Sequence, residues 1–476
     1  MQLRNNSIDA LRGYSILTMI LSGSIAYSAV MPAWMFHAQV PPPLHQFIPT
    51  IPGITWVDLV FPFFLFSMGA AIPLALKKHI DAKSGFIPIL KIAIKRFVLL
   101  VFFALFTNHM KAWVIAEHPG VKENALSICA FALLFFQFYH NEKHKKIFII
   151  LKVTAFVTAV ILLYTLPFWK GKGFDFYKSD IIIVVLANMA FFGTVIYYFT
   201  INKPNLRWGI LAFIMAFFLA AKEPTNSWTK TIFNFNHFGN LYFDWCYQFY
   251  FLKYLFIVIP GTIAGEFILQ DINNDSALEE KSHYALSNTN KKYGLLLAVF
   301  SITLIVLNLY GLFTRVLLFN FIVSTIICFI VLIICNKKIA NTLLKKFAET
   351  GTYLLLLGLC FEAYEGGIKK DVSTYSYYFV CSGLAFFSLI LFTVLDSLKY
   401  SKVVVKYLSL NGQNPMLAYV TGSLVVLPVL SITQLQQYWN SMNQNIFMGT
   451  LKGVVFTAVV SLITIFFVRR KWFWKT

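Results

Sequence analysis

A chain of 476 residues that is 58% hydrophobic, 17% aromatic and only 13% charged carries far more apolar surface than a soluble core of that length buries. This excludes a soluble globular protein and points to a polytopic membrane protein. A net charge of +20 would suggest a nucleic-acid partner in a soluble chain, but here it falls on alternate loops between apolar runs, so no nucleic acid is expected and the charge reports orientation in the lipid bilayer.

The start, Met1-Gln2-Leu3-Arg4-Asn5-Asn6-Ser7, is too short and polar for a cleavable signal with its own apolar core, so the first span is expected to stay as an anchor. Ser7-Ile8-Asp9-Ala10-Leu11-Arg12-Gly13 opens that span. Ser7 and Asp9 suit a helix cap, and Arg12 suits snorkelling to the interface. The functional alternative is an anion site, with Arg12 at a helix N-terminus and Lys91, Lys95 and Arg96 entering the third span from the same side.

Apolar runs long enough to cross a ~30 Å hydrocarbon layer recur along the whole chain. They fall at 11–30, 56–76, 93–110, 124–140, 147–167, 180–200, 207–221, 249–269, 293–312, 314–335, 350–364, 374–397, 411–431 and 446–468. The expectation is an all-α helix bundle of about 12–14 transmembrane helices in one domain, 1–476. The lower bound allows for the short runs 207–221 and 350–364 and for the pair that meets at Gly311-Leu312-Phe313-Thr314-Arg315. Residues 270–292, with Asn273-Asn274-Asp275-Ser276, read as a hydrophilic cytoplasmic connector.

Lysines gather in alternate loops: Lys77, Lys78 and Lys83, then Lys143, Lys145 and Lys146, Lys337, Lys338, Lys345 and Lys346, and Lys399, Lys402 and Lys406. Arg469, Arg470 and Lys471 close the chain. By the positive-inside rule both termini are cytoplasmic, and Lys170, Lys172, Lys369 and Lys370 are the exceptions on the outer side. The cysteines at 129, 246, 328, 335, 360 and 381 lie nearly all within apolar runs and without metal-ligand spacing, so no metal site or disulfide set is expected.

The most informative segment is Thr55-Trp56-Val57-Asp58-Leu59-Val60-Phe61-Pro62-Phe63-Phe64, preceded by His37 and His45 in a Pro-rich outer connector. A carboxylate opening a lipid-fit run must find a partner, and an acid and a base then meet at a membrane boundary. A plain helix cap at Asp58 with loop histidines is the bland alternative. On the inner side, Asn411-Gly412-Gln413-Asn414-Pro415 offers an N-cap and first-turn pair that also presents a helix N-terminus to a polyphosphate. Ile259-Pro260-Gly261-Thr262-Ile263-Ala264-Gly265-Glu266 combines a kink with small packing residues and one carboxylate. On the outer side the aromatic-rich 222–248 segment and the run from Glu362 to Asp371 supply sugar-binding candidates in Trp228, Asn234, Asn236, His237, Asp244, Trp245 and Glu362.

Asp9-Ala10-Leu11-Arg12-Gly13, His37-Ala38, the run from Thr55 to Gly69, Lys91-Ile92-Ala93 and Lys95-Arg96-Phe97 together resemble the heparan-alpha-glucosaminide N-acetyltransferase family and its bacterial relatives. Most of the likeness lies in residues 1–110, with a weaker echo at Asn411 to Tyr419. The resemblance implies acetyl transfer from cytosolic acetyl-coenzyme A to an amino sugar or glycan across the membrane. It implies His37 as base or nucleophile, with His45 as fallback, and Asp58 as the acidic partner. It also implies coenzyme A contacts from Arg12, Lys91, Lys95, Arg96 and Asn414. A family asparagine aligns near Gly23 or Ser24, the loop to His37 is longer, and no large luminal N-terminal domain is expected before the motif. These departures bear on the acceptor more than on the donor. The setting implied is a bacterial inner membrane. A secondary transporter of a sugar and an O-acetyltransferase of an envelope glycan are the rival readings, and a homodimer is left open.

Overall fold

Inside lipid every backbone N–H and C=O must find its partner within its own segment, and the apolar runs accordingly fold as helices. The computed structural model describes residues 4–28, 30–141, 143–223, 227–277, 288–339 and 341–475. The long helices are α1 (Asn6–Ser24), α2 (Trp56–Asp81), α3 (Phe86–His109), α4 (Val121–Phe138), α5 (Lys145–Thr165), α6 (Ile181–Phe199), α7 (Pro204–Lys222) and α8 (Leu255–Ala277). They continue with α9 (Asn288–Phe313), α10 (Leu317–Lys337), α11 (Thr342–Cys360), α12 (Tyr375–Ser397), the shorter α13 (Lys402–Gly412), α14 (Pro415–Ile432) and α15 (Ile446–Arg469). The protein is an all-α polytopic helix bundle. A two-residue hairpin, His237–Phe238 against Leu241–Tyr242, is the only sheet among the described residues.

All the expected apolar runs fall on these helices, and eleven helices among the described residues are long and apolar enough to cross a membrane. The three further long helices α1, α3 and α11 carry charged side chains toward one end: Asp9 and Arg12, Lys91, Lys95 and Arg96, and Lys345, Lys346 and Glu349. The run expected at 350–364 begins earlier, at Thr342, because the Asn341 side chain caps it by accepting from the Leu344 amide at 2.9 Å. The expected 411–431 span divides instead at Gln413–Asn414, where Pro415 opens α14. A π-helical turn over Gly422–Val426 precedes Pro428, whose ring cannot sit against a normal α-turn. The 270–292 connector is helical at both ends, through Ala277 and from Asn288; residues 278–287 lie outside the described residues.

The cap of α1 is Asn5, whose side chain accepts from the amides of Ser7 at 3.0 Å and Ile8 at 3.1 Å. Ser7 and Asp9, the expected caps, lie two and four residues further in, where Ser7 accepts from Thr393 of α12 at 3.0 Å and Asp9 pairs with Arg12.

Helix α12 is the centre of the bundle, with 89% of its apolar stretch buried against 17% for α5 and α7 at the periphery. It packs against α11, α9, α8 and α2, and α2 in turn lies along α8 and α1. Small residues permit these approaches. A Cβ on Gly265 would fall 2.1 Å from the Ala70 carbonyl of α2, so the small-residue stripe in α8 does serve close packing. Where α1 crosses α13, a Cβ on Gly13 would lie 1.8 Å from the Leu408 carbonyl and one on Gly412 1.9 Å from that of Asp9. Backbone cannot yield as a side chain can. Gly13→Val is therefore expected to cost about 1–3 kcal/mol or above, read as a lowered unfolding midpoint of the detergent-solubilised protein, whereas valine at the open Gly23 position should leave it unchanged.

Glu266 of α8 receives Arg207 of α7 in a fully buried ion pair. Arg207 also donates to the Thr200 carbonyl at 3.0 Å and Thr262 Oγ1 at 3.3 Å, and the Asn202 amide donates to Glu266 at 2.8 Å. The pair closes the α6–α7 turn onto α8, which accounts for a carboxylate in that span.

The first and last described segments lie on one face, here the terminal face. The Arg4 guanidinium stands 4.8 Å over the Phe473 ring, and the Trp474 amide donates to Asn414 at 3.2 Å. The N-terminus of α2 and the 361–374 loop between α11 and α12 lie at the opposite, far face, where the Gly53 amide donates to the Ile368 carbonyl at 2.7 Å.

Candidate functional site

Thr55 is the N-cap of α2, and Asp58, three residues on, completes a capping box by accepting from the Thr55 amide at 2.9 Å. The same oxygen, Oδ2, accepts from the Ala38 amide at 3.2 Å, and the Thr55 hydroxyl donates to the Phe36 carbonyl at 2.6 Å. These bonds fasten the connector before α2 onto its first turn. Oδ1 is left for His37, whose Nδ1 lies 2.7 Å away. The two roles open for Asp58, cap and partner of a histidine, are thus both filled, one by each oxygen. Asp58 is 2% exposed while the His37 side chain keeps 34% of its surface.

A carboxylate only accepts, so Nδ1 carries the proton, and in the neutral ring Nε2 presents the lone pair. Tyr377 of α12 donates to the Asp58 carbonyl at 2.8 Å and ties this turn to the central helix. His45 is elsewhere: its ring packs 4.5 Å from Phe36 and 5.0 Å from Tyr27, with both nitrogens buried and unbonded among the described residues. It does not join the Asp58 pair.

Lys370 approaches His37 from the 361–374 loop, its Nζ 3.3 Å from each ring nitrogen. Gln39 grips the neighbouring residue, accepting from the Asp371 amide at 2.9 Å and donating to the Asp371 carbonyl. Deeper in the loop, Lys253 donates to the Ser373 carbonyl at 2.6 Å, and Tyr250 and Tyr378 bond the Ser373 hydroxyl at 2.7 and 2.6 Å. Glu365 pairs with Lys222 at 2.6 Å and accepts from the Tyr375 amide at 2.8 Å. Burial pushes the Glu365 carboxyl up, but the Lys222 hydrogen bond, the Lys253 charge and the Tyr375 amide outweigh it and hold it below the ordinary carboxylate range. Glu362, expected to read sugar hydroxyls, is buried in an ion pair with Arg315 and accepts from the Ile368 amide at 3.2 Å. It holds the loop.

The other sugar-binding candidates lie on the connection between α7 and α8. Trp228 packs 5.7 Å from Phe217 of α7, and Trp245 lies 4.8 Å from Phe176. Tyr177 donates to Asp244 at 2.9 Å, His237 bonds Asn236 at 2.9 Å, and Asn234 is exposed. The partners named for them belong to α7, the 174–177 segment and the α7–α8 connection itself, not to His37.

At the terminal face a cavity of about 360 Å³ opens among α1, α2, α3 and the C-terminal residues. Arg4, Arg12, Arg96 and Lys475 supply four cations to its lining, and Phe64 and Met68 of α2 form an apolar wall. Phe64 is six residues from Asp58, a rise of ~9 Å along the helix, so the cavity climbs toward the histidine pair. Arg12 is fixed there by Asp9 at 3.2 Å, the Ser67 carbonyl at 3.1 Å and the Gly412 carbonyl at 3.4 Å. Of the five residues expected to meet phosphate, Arg12 and Arg96 line this cavity. Lys91 and Lys95 are exposed on the other side of α3, and the Asn414 side chain is spent on the C-terminal segment, donating to the Trp472 carbonyl at 3.0 Å.

Lys370, Gln39, Arg4 and Lys475 were not among the sequence candidates. Lys370 had one signal, as a lysine on the side where the positive-inside rule expects few. Residues 4–268 match the family described as domain of unknown function DUF5009. The chain belongs to the DUF5009 family. The DUF5009 match holds Arg12, His37, Asp58 and Arg96, and ends before the 361–374 loop that brings Lys370. No curated protein matches the chain.

Proposed function

We propose that this DUF5009 protein is a transmembrane acyltransferase, taking acetyl from acetyl-coenzyme A at the terminal face and delivering it to an amino sugar or glycan at the far face. The observation that carries the reading is the polarity of α2, with the His37–Asp58 pair at one end and the cation-lined cavity toward the other. A polyphosphate donor and a neutral acetyl group call for those two environments on opposite sides. A sugar carrier would be expected to gather its polar groups near midplane. The likeness of the His37, Asp58 and Arg12 motifs to heparan-alpha-glucosaminide N-acetyltransferases supports the same donor. Lysine-rich loops support a cytoplasmic terminal face, and the likeness to bacterial relatives supports an inner-membrane setting.

In this reading His37 Nε2 accepts the proton of the acceptor amine as its nitrogen attacks the acyl carbon, and Asp58 holds the ring and offsets its gained charge. A cavity of about 360 Å³ suits the slender pantetheine arm, which leaves the phosphates at the mouth among the cations. Arg96→Ala should weaken coenzyme A binding by about 10- to 100-fold at low salt, the share of one hydrogen bond to a charged group, and less at high salt. Lys91→Ala and Lys95→Ala should bind as the parent does; calorimetry on purified protein distinguishes them, and equal affinity in the Arg96 variant would remove the phosphates from this cavity.

The decisive experiment uses proteoliposomes with labelled acetyl-coenzyme A outside and amino sugars or glycans enclosed. Label is expected on the enclosed acceptor, as an amide by mass spectrometry. An ester product would move the reading to O-acetylation. Sugar uptake without acetyl transfer would replace it with transport.

A further inference from the structure

We propose that Lys370 is a catalytic residue of this site, the cation that meets the negative charge built on the acyl carbonyl oxygen during transfer. The inference rests on the acyl-transfer reading and goes beyond it.

The geometry of the ammonium is unusual. Its Nζ is equidistant, at 3.3 Å, from Nδ1 and Nε2 of His37. An in-plane position with that property would drive it into Cε1, and the Nδ1 direction is already taken by Asp58 at 2.7 Å. Lys370 therefore stands over the face of the imidazole and leaves the Nε2 lone pair free. Among the described residues it forms no ion pair with a carboxylate, so N–H donors remain for a ligand. The chain just after it is gripped by Gln39 at Asp371 and by Lys253 at the Ser373 carbonyl, and just before it the Lys369 amide donates to Thr374 Oγ1 at 3.1 Å. A half-buried cation held this firmly, beside the exposed edge of the base, is an oriented charge rather than a solvated one.

The step it serves balances as follows. The acceptor nitrogen forms a bond to the acyl carbon, and the carbonyl π pair moves onto oxygen, which faces Lys370. Return of that pair expels the thiolate. The amine proton passes to His37 Nε2 and from there to the thiolate, giving an amide and a free thiol. Lys370 stays protonated throughout, which separates its role from that of the base.

The test compares Lys370→Met, Lys370→Arg and Lys370→Ala in the proteoliposome assay, with carbethoxylation of His37 by diethylpyrocarbonate as a second readout of an intact site. Lys370→Met is expected to lower kcat by about 10²- to 10³-fold, as loss of one donor to a developing oxyanion does, with the donor KM little changed. Arginine should restore part of the rate, and methylammonium in the buffer should rescue Lys370→Ala in proportion to its concentration. His37 should remain reactive toward the reagent in all three. A kcat for Lys370→Met close to the parent's would overturn the assignment. So would a loss that neither arginine nor methylammonium restores and that is matched by lost His37 reactivity, since Lys370 would then only shape the loop. If the parent transfers no acetyl group at all, the acyl-transfer reading and this role fall together; if the parent does and Lys370→Met does equally, Lys370 falls alone.

Discussion

Replacing His37 with alanine should lower acetyl transfer by about two to four orders of magnitude, the usual cost of removing a general base, and by more if the imidazole itself carries the acyl group. Coenzyme A binding should survive, because the cations lie at the terminal face and touch neither ring nitrogen. Alanine at 37 also frees Asp58 Oδ1 while Oδ2 keeps its bonds to Thr55 and Ala38, so the first turn of α2 stays capped. Turnover and calorimetric affinity measured on the same preparation separate the two effects. His45→Ala should keep its activity, since that ring packs on Phe36 and Tyr27 away from the pair. Near-parental turnover in the His37 variant would end the histidine mechanism.

Asp58→Asn should be about as damaging to activity as His37→Ala, and far milder to the fold than Asp58→Ala. The amide oxygen can still accept from the Thr55 and Ala38 amides, which turns its NH₂ toward His37 Nδ1. Two donors cannot share a hydrogen bond. The ring must shift its proton to Nε2, which removes the lone pair that takes the acceptor's proton, and an exchange of this kind costs on the order of 10⁴ in kcat in a hydrolytic triad. Asp58→Ala loses the cap as well, with a further cost of about 1 kcal/mol or more in stability and two amides left unpaired in a buried turn. The expected pattern is thus an inactive, well-folded asparagine variant and an inactive, less stable alanine variant. Unfolding midpoints and kcat measured side by side check it; an active asparagine variant would show that Asp58 matters only as a cap.

Much of the site was legible because its parts are close in sequence. Asp58 sits three residues after Thr55, and His37 reaches it within one connector, so residue type and order sufficed to make them candidates, with His45 beside them until the fold turned that ring onto Phe36 and Tyr27. The choice among Lys91, Lys95 and Arg96 was open to helical periodicity. Lys91 and Lys95 share one face, while Arg96 is turned toward the face that carries the buried Ala93 and Leu100. Asn414 and Glu362 read correctly as polar groups that need partners in an apolar chain, yet those partners are Trp472, Trp474 and Arg315, not a ligand.

The sequence by itself determined that this protein is a bundle of membrane-length helices, because a chain this apolar can satisfy its backbone in lipid only as helix, and it set an acid and two candidate histidines about the start of the second long helix. Only the tertiary structure decided what surrounds them. Lys370 lies 333 positions from His37, and Arg4, Arg96 and Lys475 converge from three separate segments. Such meetings depend on how helices cross, and crossing is set by where small residues such as Gly13, Gly412 and Gly265 let backbones touch. Hydropathy records that a segment is in the membrane but not which face it turns to which neighbour.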